Sequence, residues 1–209
     1  MNTEVTVHPK LHHYGLTTAN LDAMIDWYRK VLGMTVNHRS AWGGPRSAGP
    51  RGPQCGPPFS AVAFVSNDEV NHRLVFFEVP GVVADPDKSR HARLQHVAFE
   101  YRTLDDLLGT YVRLKSLGML PVMAMDQGLQ TSIYYTDPDQ NIVELDINNY
   151  RDEWTATEHI RTEPPVMAFV DPDKMVAARK AGTSPWEAHE RAVAGEFAPT
   201  ERFDGRAAF

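Results

Sequence analysis

The stretch L-H-H-Y-G-L-T-T-A-N-L-D-A-M-I-D-W-Y, Leu11 to Tyr28, is matched later in the chain by L-Q-H-V-A-F-E-Y-R-T-L-D-D-L-L-G-T-Y, Leu94 to Tyr111. Leu, His, Leu, Asp and Tyr recur at one offset of 83 residues (96 less 13). Leu32-Gly33-Met34 and Leu117-Gly118-Met119 then close the two units, at an offset grown to 85 (118 less 33). A two-residue insertion inside an otherwise matched unit is what duplication followed by drift leaves, and such repetition decides architecture before any finer reading.

Each unit opens as a strand. Over Leu11 to Thr18, His13 shares a face with Leu11, Gly15 and Thr17 while His12 points to the other; over Leu94 to Tyr101, His96 shares a face with Leu94, Ala98 and Glu100. A helix follows in each. Asn20 and Thr103 suit the N-cap. Leu21, Met24, Ile25, Tyr28, Val31 and Leu32 in the first, and Leu104, Leu107, Leu108, Tyr111 and Leu114 in the second, form apolar stripes at helical spacing. Gly33 and Gly118 stand where a left-handed C′ residue ends the helix. Three more strands complete each half: Thr35–Ser40, Phe59–Ser66 and Arg73–Glu78, then Pro121–Met125, Thr131–Thr136 and Ile142–Asn148.

The expected fold is thus α+β, two paired βαβββ modules at about residues 7–80 and 92–150 of a single domain spanning 1–150. Trp42 to Pro58, crowded with Gly and Pro, reads as an irregular loop, Val79 to Arg93 as the linker between halves, and Asp137-Pro138-Asp139-Gln140-Asn141 as a turn. Residues 151–209 form a C-terminal extension expected to wrap the domain or a second subunit. Within it Arg151 to Pro165 reads as polar and extended, with short helices at Asp173–Ala181 and Pro185–Gly195.

Composition narrows the function classes. A net charge of −6 without a Lys/Arg cluster argues against nucleic acid or an anionic membrane as partner. No apolar run reaches the roughly 20 residues of a membrane helix, and Met1 to Lys10 lacks the apolar core of a signal peptide. The single cysteine, Cys55, rules out an internal disulfide and fits a reducing cytoplasm.

Two histidines at equivalent positions of a duplicated unit are related by an approximate two-fold axis, so His13 and His96 can converge on one point. Glu144 supplies a third group: it is the one carboxylate amid Ile142, Val143 and Leu145, and a cation would offset the cost of burying it. Two imidazoles and one carboxylate with open positions form the facial triad of non-haem Fe(II) sites, although Mn(II), Ni(II) or Zn(II) also suit these donors. His8, His38, His91, His159 and His189 lack such a context and are expected at the surface.

H-Y-G-L with the following W-Y-R-K-V-L-G-M, then H-V-A-F, then S-I-Y-Y-T-D-P-D-Q-N-I-V-E-L together resemble the vicinal oxygen chelate superfamily, which includes glyoxalase I, the fosfomycin and bleomycin resistance proteins and type I extradiol dioxygenases. The resemblance runs from about Leu11 to Tyr150. It implies an incomplete barrel around a metal bound by His13, His96 and Glu144, and a homodimer. Phe64 to Glu78, F-V-S-N-D-E-V-N-H-R-L-V-F-F-E, resembles the dioxygenase segment that carries a histidine beside bound oxygen, which places that role on His72. Tyr134, ten positions before Glu144, matches a tyrosine that hydrogen-bonds the substrate. Where related proteins carry Asn-His-Gly this chain has Asp126-Gln127-Gly128, so Gln127 can donate a hydrogen bond but cannot shuttle a proton.

The implied activity is ring cleavage of a catechol-like aromatic by O2, with Trp42, Phe64 and Phe76 as candidate walls for the ring. The alternatives are a glyoxalase I-like isomerase or lyase with Glu78 as a fourth ligand, and a non-catalytic small-molecule binder.

Overall fold

A computed structural model describes residues 6–41, 59–201 and 203 of the 209-residue chain. Cys55, Trp42 and the loop expected over 42–58 lie outside the described residues. The chain divides into two compact units, Met1–Ala84 and Asp85–Phe209.

The first unit contains β1 (Tyr14–Thr18), α1 (Leu21–Leu32), β2 (Thr35–Ala41), β3 (Ala61–Ser66) and β4 (Leu74–Glu78), with strand order β1-β4-β3-β2. β1 and β4 run parallel, pairing Tyr14 with Leu74 and Gly15 with Val75, and the other pairs are antiparallel. A parallel pair needs a crossover, and α1 with β2 and β3 supplies it. A Cβ at Gly15 would stand 3.2 Å from the Val75 side chain and 3.3 Å from the Phe77 ring, so β1 packs tightly beside β4 there and a larger residue would make those side chains shift.

The helix follows its sequence signals. Asn20 Oδ1 accepts from Ala23 N at 3.0 Å, Gly33 ends the helix at φ 67°, and Leu21, Met24, Tyr28 and Val31 are at most 1% exposed. Full burial of side chains of this size stabilises by about 1.5–3 kcal/mol each, which is why a 12-residue helix persists here.

The second unit repeats the design with β5 (His96–Glu100), α2 (Leu104–Ser116), β6 (Met123–Asp126), β7 (Gln130–Thr136) and β8 (Ile142–Asn148). β5 and β8 are parallel, pairing Ala98 with Glu144. Thr103 caps α2 through Asp106 N, and Gly118 follows the helix at φ 77°. The β7–β8 turn is held by Asp137, whose carboxylate accepts from Asp139 N, Asn141 N and Asn141 Nδ2 at 2.8–2.9 Å. The paired βαβββ reading is therefore correct, and the fold is α+β.

The extension differs from expectation at one point. Residues 151–165 are not extended: Glu153–Thr162 form a helix, α3, whose N-cap Asp152 accepts from Thr155 N at 2.9 Å. Its apolar face is thin, only Ala156 being buried, so periodicity gave little sign of it. The chain continues through β9 (Ala168–Phe169), α4 (Pro172–Lys180) and α5 (Pro185–Val193).

These elements pack on the second module of their own chain. β9 pairs with β6 and extends that sheet to the order β5-β8-β7-β6-β9. Arg179 donates to both oxygens of Asp105 at 2.9 and 2.7 Å, tying α4 to α2. Among the described residues no helix is long and apolar enough to cross a membrane.

Candidate metal centre

His12 and His13 precede the first paired residue of β1, and His72 and Arg73 precede that of β4. Because these strands are parallel neighbours, the residues before their common start lie side by side. The His13 and His72 ring centroids are 4.2 Å apart, and Nδ1 of His12 lies 2.8 Å from Nδ1 of His13. Donor atoms of His12, His13 and His72 all fall within 4.8 Å of one another. His12 thus does not turn away from His13. Strand alternation does not reach it, since β1 begins only at Tyr14.

His72 is half-buried, with the Phe64 ring 4.9 Å from its own. Burial, then the adjacent His13 and His12 rings, holds its pKa below the ordinary imidazole value. Phe76 belongs to the core instead, fully buried with its ring 5.1 Å from that of Tyr28.

In the second unit one sheet face carries a polar constellation. Pairing of Tyr134 with Glu144 and of Ser132 with Asp146 puts all four on the same side. Glu144 is 2% exposed, and its Oε2 lies 2.9 Å from His96 Nε2. Two donors bound cis to one ion at about 2.0–2.2 Å would be about 3.0 Å apart, so the pair has the spacing of cis ligands. Oε1 accepts from the Tyr134 hydroxyl at 2.7 Å and from Gln130 Nε2 at 2.9 Å. Gln127 Nε2 in turn donates to the Tyr134 oxygen at 2.8 Å. His96, Glu144, Tyr134 and Gln127 thus form one connected chain, and a carboxylate buried at the end of such a chain fits a cation held through Oε2. Burial, then the charge of Glu144, holds the Tyr134 hydroxyl well above its ordinary pKa, so it remains a donor.

The sequence reading did not single out Gln130 or Asp146. Their signal was alternation: Gln130, Ser132 and Tyr134 on β7 face Glu144 and Asp146 on β8. Burial, with the charges of Glu144 and Glu100, raises the Asp146 carboxyl to about 7, and its Oδ1 is buried with no hydrogen-bond partner among the described residues. In metal-stripped protein between about pH 4 and 7, the folded state keeps a proton that an unfolded aspartic acid has released, so stability falls as pH rises through that window. Asp146→Asn is therefore expected to stabilise relative to wild type at pH 8 but not at pH 4. Urea midpoints at both values check this, and an equal difference at the two would rule it out.

Glu78 lies at the far end of β4 from His72, half-buried, accepting from Leu21 N at 3.2 Å and Ser60 Oγ at 2.9 Å. Strand register identifies the first module's counterpart of Glu144. Glu144 pairs with Ala98, two residues after His96, and the residue paired with Gly15, two after His13, is Val75.

Two further histidines are not at the surface. His189 is 9% exposed, with Nδ1 2.9 Å from Oδ2 of the fully buried Asp126. That carboxylate also accepts from Thr131 Oγ1 at 2.9 Å, Asn149 Nδ2 at 3.2 Å and Gly128 N at 2.9 Å. His159 is half-buried, with Nδ1 2.7 Å from the Tyr150 hydroxyl. Nothing in the surrounding sequence marks them, because each is buried by the docking of α5 or α3. His91, by contrast, is exposed and pairs with Asp85 at 2.6 Å.

Residues 10–145 match the family model described as the glyoxalase/bleomycin resistance protein/dioxygenase superfamily. The chain is 32% identical over 194 residues to biphenyl-2,3-diol 1,2-dioxygenase 3 of Rhodococcus globerulus, covering 91% of this chain and 92% of that protein. It is also 32% identical over 183 residues to biphenyl-2,3-diol 1,2-dioxygenase 2 of the same organism, covering 86% of each. The fold is similar to that of a glyoxylase/bleomycin resistance protein/dioxygenase domain from Frankia sp. EAN1pec, with a TM-score of 0.55 at 19% identity over 73% of this chain and 100% of that one. With its duplicated βαβββ modules and a family match over most of its length, this chain belongs to the glyoxalase/bleomycin resistance protein/dioxygenase superfamily.

Proposed function

We propose that this protein is an extradiol-type dioxygenase that cleaves a catechol-like aromatic ring with O2, using Fe(II) bound by His13, His96 and Glu144. The observation that carries the reading is the asymmetry of the two modules. The second places a buried carboxylate, Glu144, 2.9 Å from His96, whereas the first places Val75 at the equivalent position. A four-ligand isomerase site needs a carboxylate there, and Glu78 is instead engaged with Leu21 and Ser60 at the other end of β4. Three ligands leave room for a substrate diol and O2. The chain's relation to two biphenyl-2,3-diol dioxygenases supports the same reading and makes that diol the first substrate to try.

When bound, the metal ion supplies positive charge that stabilises the deprotonated diol and a common point of attachment for both reactants. The residues supply the rest. His72, whose lowered pKa favours the neutral form, accepts a proton from the diol at an imidazole nitrogen. The Tyr134 hydroxyl fixes the Glu144 carboxylate, and Gln127 fixes Tyr134. Gln130, four residues earlier on β7, donates to the same carboxylate oxygen. Both atoms of O2 enter the ring-opened product, so no external reductant is required.

The test is oxygen uptake by anaerobically Fe(II)-reconstituted protein with biphenyl-2,3-diol and a series of substituted catechols, with His13→Ala as the blank. Uptake coupled to a yellow product, absent in the variant, supports the reading. No uptake from protein holding one Fe(II) sinks it for these diols. Tyr134→Phe, which removes one hydroxyl and keeps the ring, is expected to lower kcat about 10- to 100-fold with an unchanged fold. An unchanged kcat would remove Tyr134 from the mechanism.

A further inference from the structure

The three histidines at the start of β1 and β4 make a donor set that the three-ligand site uses only in part. Parallel pairing of β1 with β4 sets His13 beside His72, with ring centroids 4.2 Å apart. His12 reaches the same place because its backbone is held: Arg73 Nη1 donates to the His12 carbonyl at 3.2 Å, while the rest of that guanidinium is neutralised on Asp68 Oδ2 at 2.7–2.8 Å. The His12 and His72 ring centroids are 5.4 Å apart, and His12 and His13 meet edge-on at 5.1 Å. His12 and His13 are exposed and His72 is half-buried, so an ion has access from solvent.

We propose that His12, His13 and His72 form a second metal site, within the first module alone, which takes a zinc(II) ion through three imidazoles and withdraws His13 from the iron site. The competition rests on the function proposed above; the zinc site itself does not. Three tetrahedral ligands at about 2.0–2.1 Å from zinc stand about 3.4 Å apart. His12 Nδ1 and His13 Nδ1, at 2.8 Å, need to open slightly, and one nitrogen from each of the three rings, all within 4.8 Å of one another, needs to close on a common point. Rotations of exposed rings accomplish both. An all-imidazole set favours zinc over Fe(II), whereas the set completed by Glu144 includes a hard carboxylate that suits iron. The two ions cannot be held together, because the sites share His13.

The experiment is calorimetric titration of the full-length, metal-stripped protein with zinc(II), with cobalt(II) absorption reporting coordination. His96→Ala removes an exposed ligand of the iron site and leaves the three histidines intact. It is expected to bind one zinc(II) per chain, and His96→Ala combined with His12→Ala to bind it roughly 100-fold more weakly or worse. Failure of the single variant to bind zinc, or equal affinity in the double variant, overturns the site. Wild-type protein is expected to take one ion in total, and two per chain would overturn the competition. Absence of oxygen uptake together with zinc binding by His96→Ala would sink the dioxygenase reading while leaving this site standing.

Discussion

Replacing Glu144 by glutamine is expected to lower oxygen uptake with a catechol by roughly 1,000-fold or more, equivalent to about 4 kcal/mol or more of lost stabilisation. The carboxylate is 2% exposed, and a hydroxyl and an amide, Tyr134 and Gln130, both donate to its Oε1. Its other oxygen is left to His96 at 2.9 Å and, in the proposed site, to the metal. An amide of the same size keeps the packing but removes the negative charge that draws a cation into a buried position. It also turns an NH2 group toward one of three groups that need an acceptor or a ligand. Iron content measured beside activity separates the causes: both should fall in Glu144→Gln, while the far-ultraviolet circular dichroism stays that of the wild type. A variant that keeps both its iron and its activity would remove Glu144 from the ligand set.

The second large effect is on stability. Asp126→Ala is expected to cost about 3–5 kcal/mol, and so to lower Tm by about 10 °C for a chain of this length. Asp126 is fully buried, and its carboxylate gathers His189 from α5, Asn149 after β8, Thr131 from β7 and the amide of Gly128. Removing it strands these partners in the interior, which costs more than the net worth of the bonds lost. Because His189 is the link to α5, proteolysis is expected to cut the extension faster in the variant. A melting temperature within 2 °C of wild type would refute the account, since a loss that small is what replacing a surface carboxylate gives. The same cluster borders Gln127, so a smaller fall in activity should accompany the loss of stability.

Much of the architecture was legible because it is local and stated twice. The helix stripes, the caps at Asn20 and Thr103 and the turn residues after both helices are short-range signals, and each lies where it was expected. α3 was missed because only one of its residues is buried, so helical period left no trace. His12 was misplaced for a different reason: alternation assigns faces only inside a strand, and β1 starts two residues later. His189 and His159 were placed at the surface because nothing near them in sequence shows that the extension folds back onto β6 and the turn after it.

The amino-acid sequence by itself determined the paired βαβββ modules, since a repeated pattern of apolar spacing and capping specifies the same local structure each time it occurs. It also named His13, His96 and Glu144 as the residues to test. Only the tertiary structure decided that Tyr134 and Gln130 donate to Glu144 with Gln127 behind Tyr134, that Val75 rather than a carboxylate stands at its counterpart, and that the extension docks on the second module. Those outcomes depend on strand register and on pairings between residues far apart in the chain, which no local periodicity encodes.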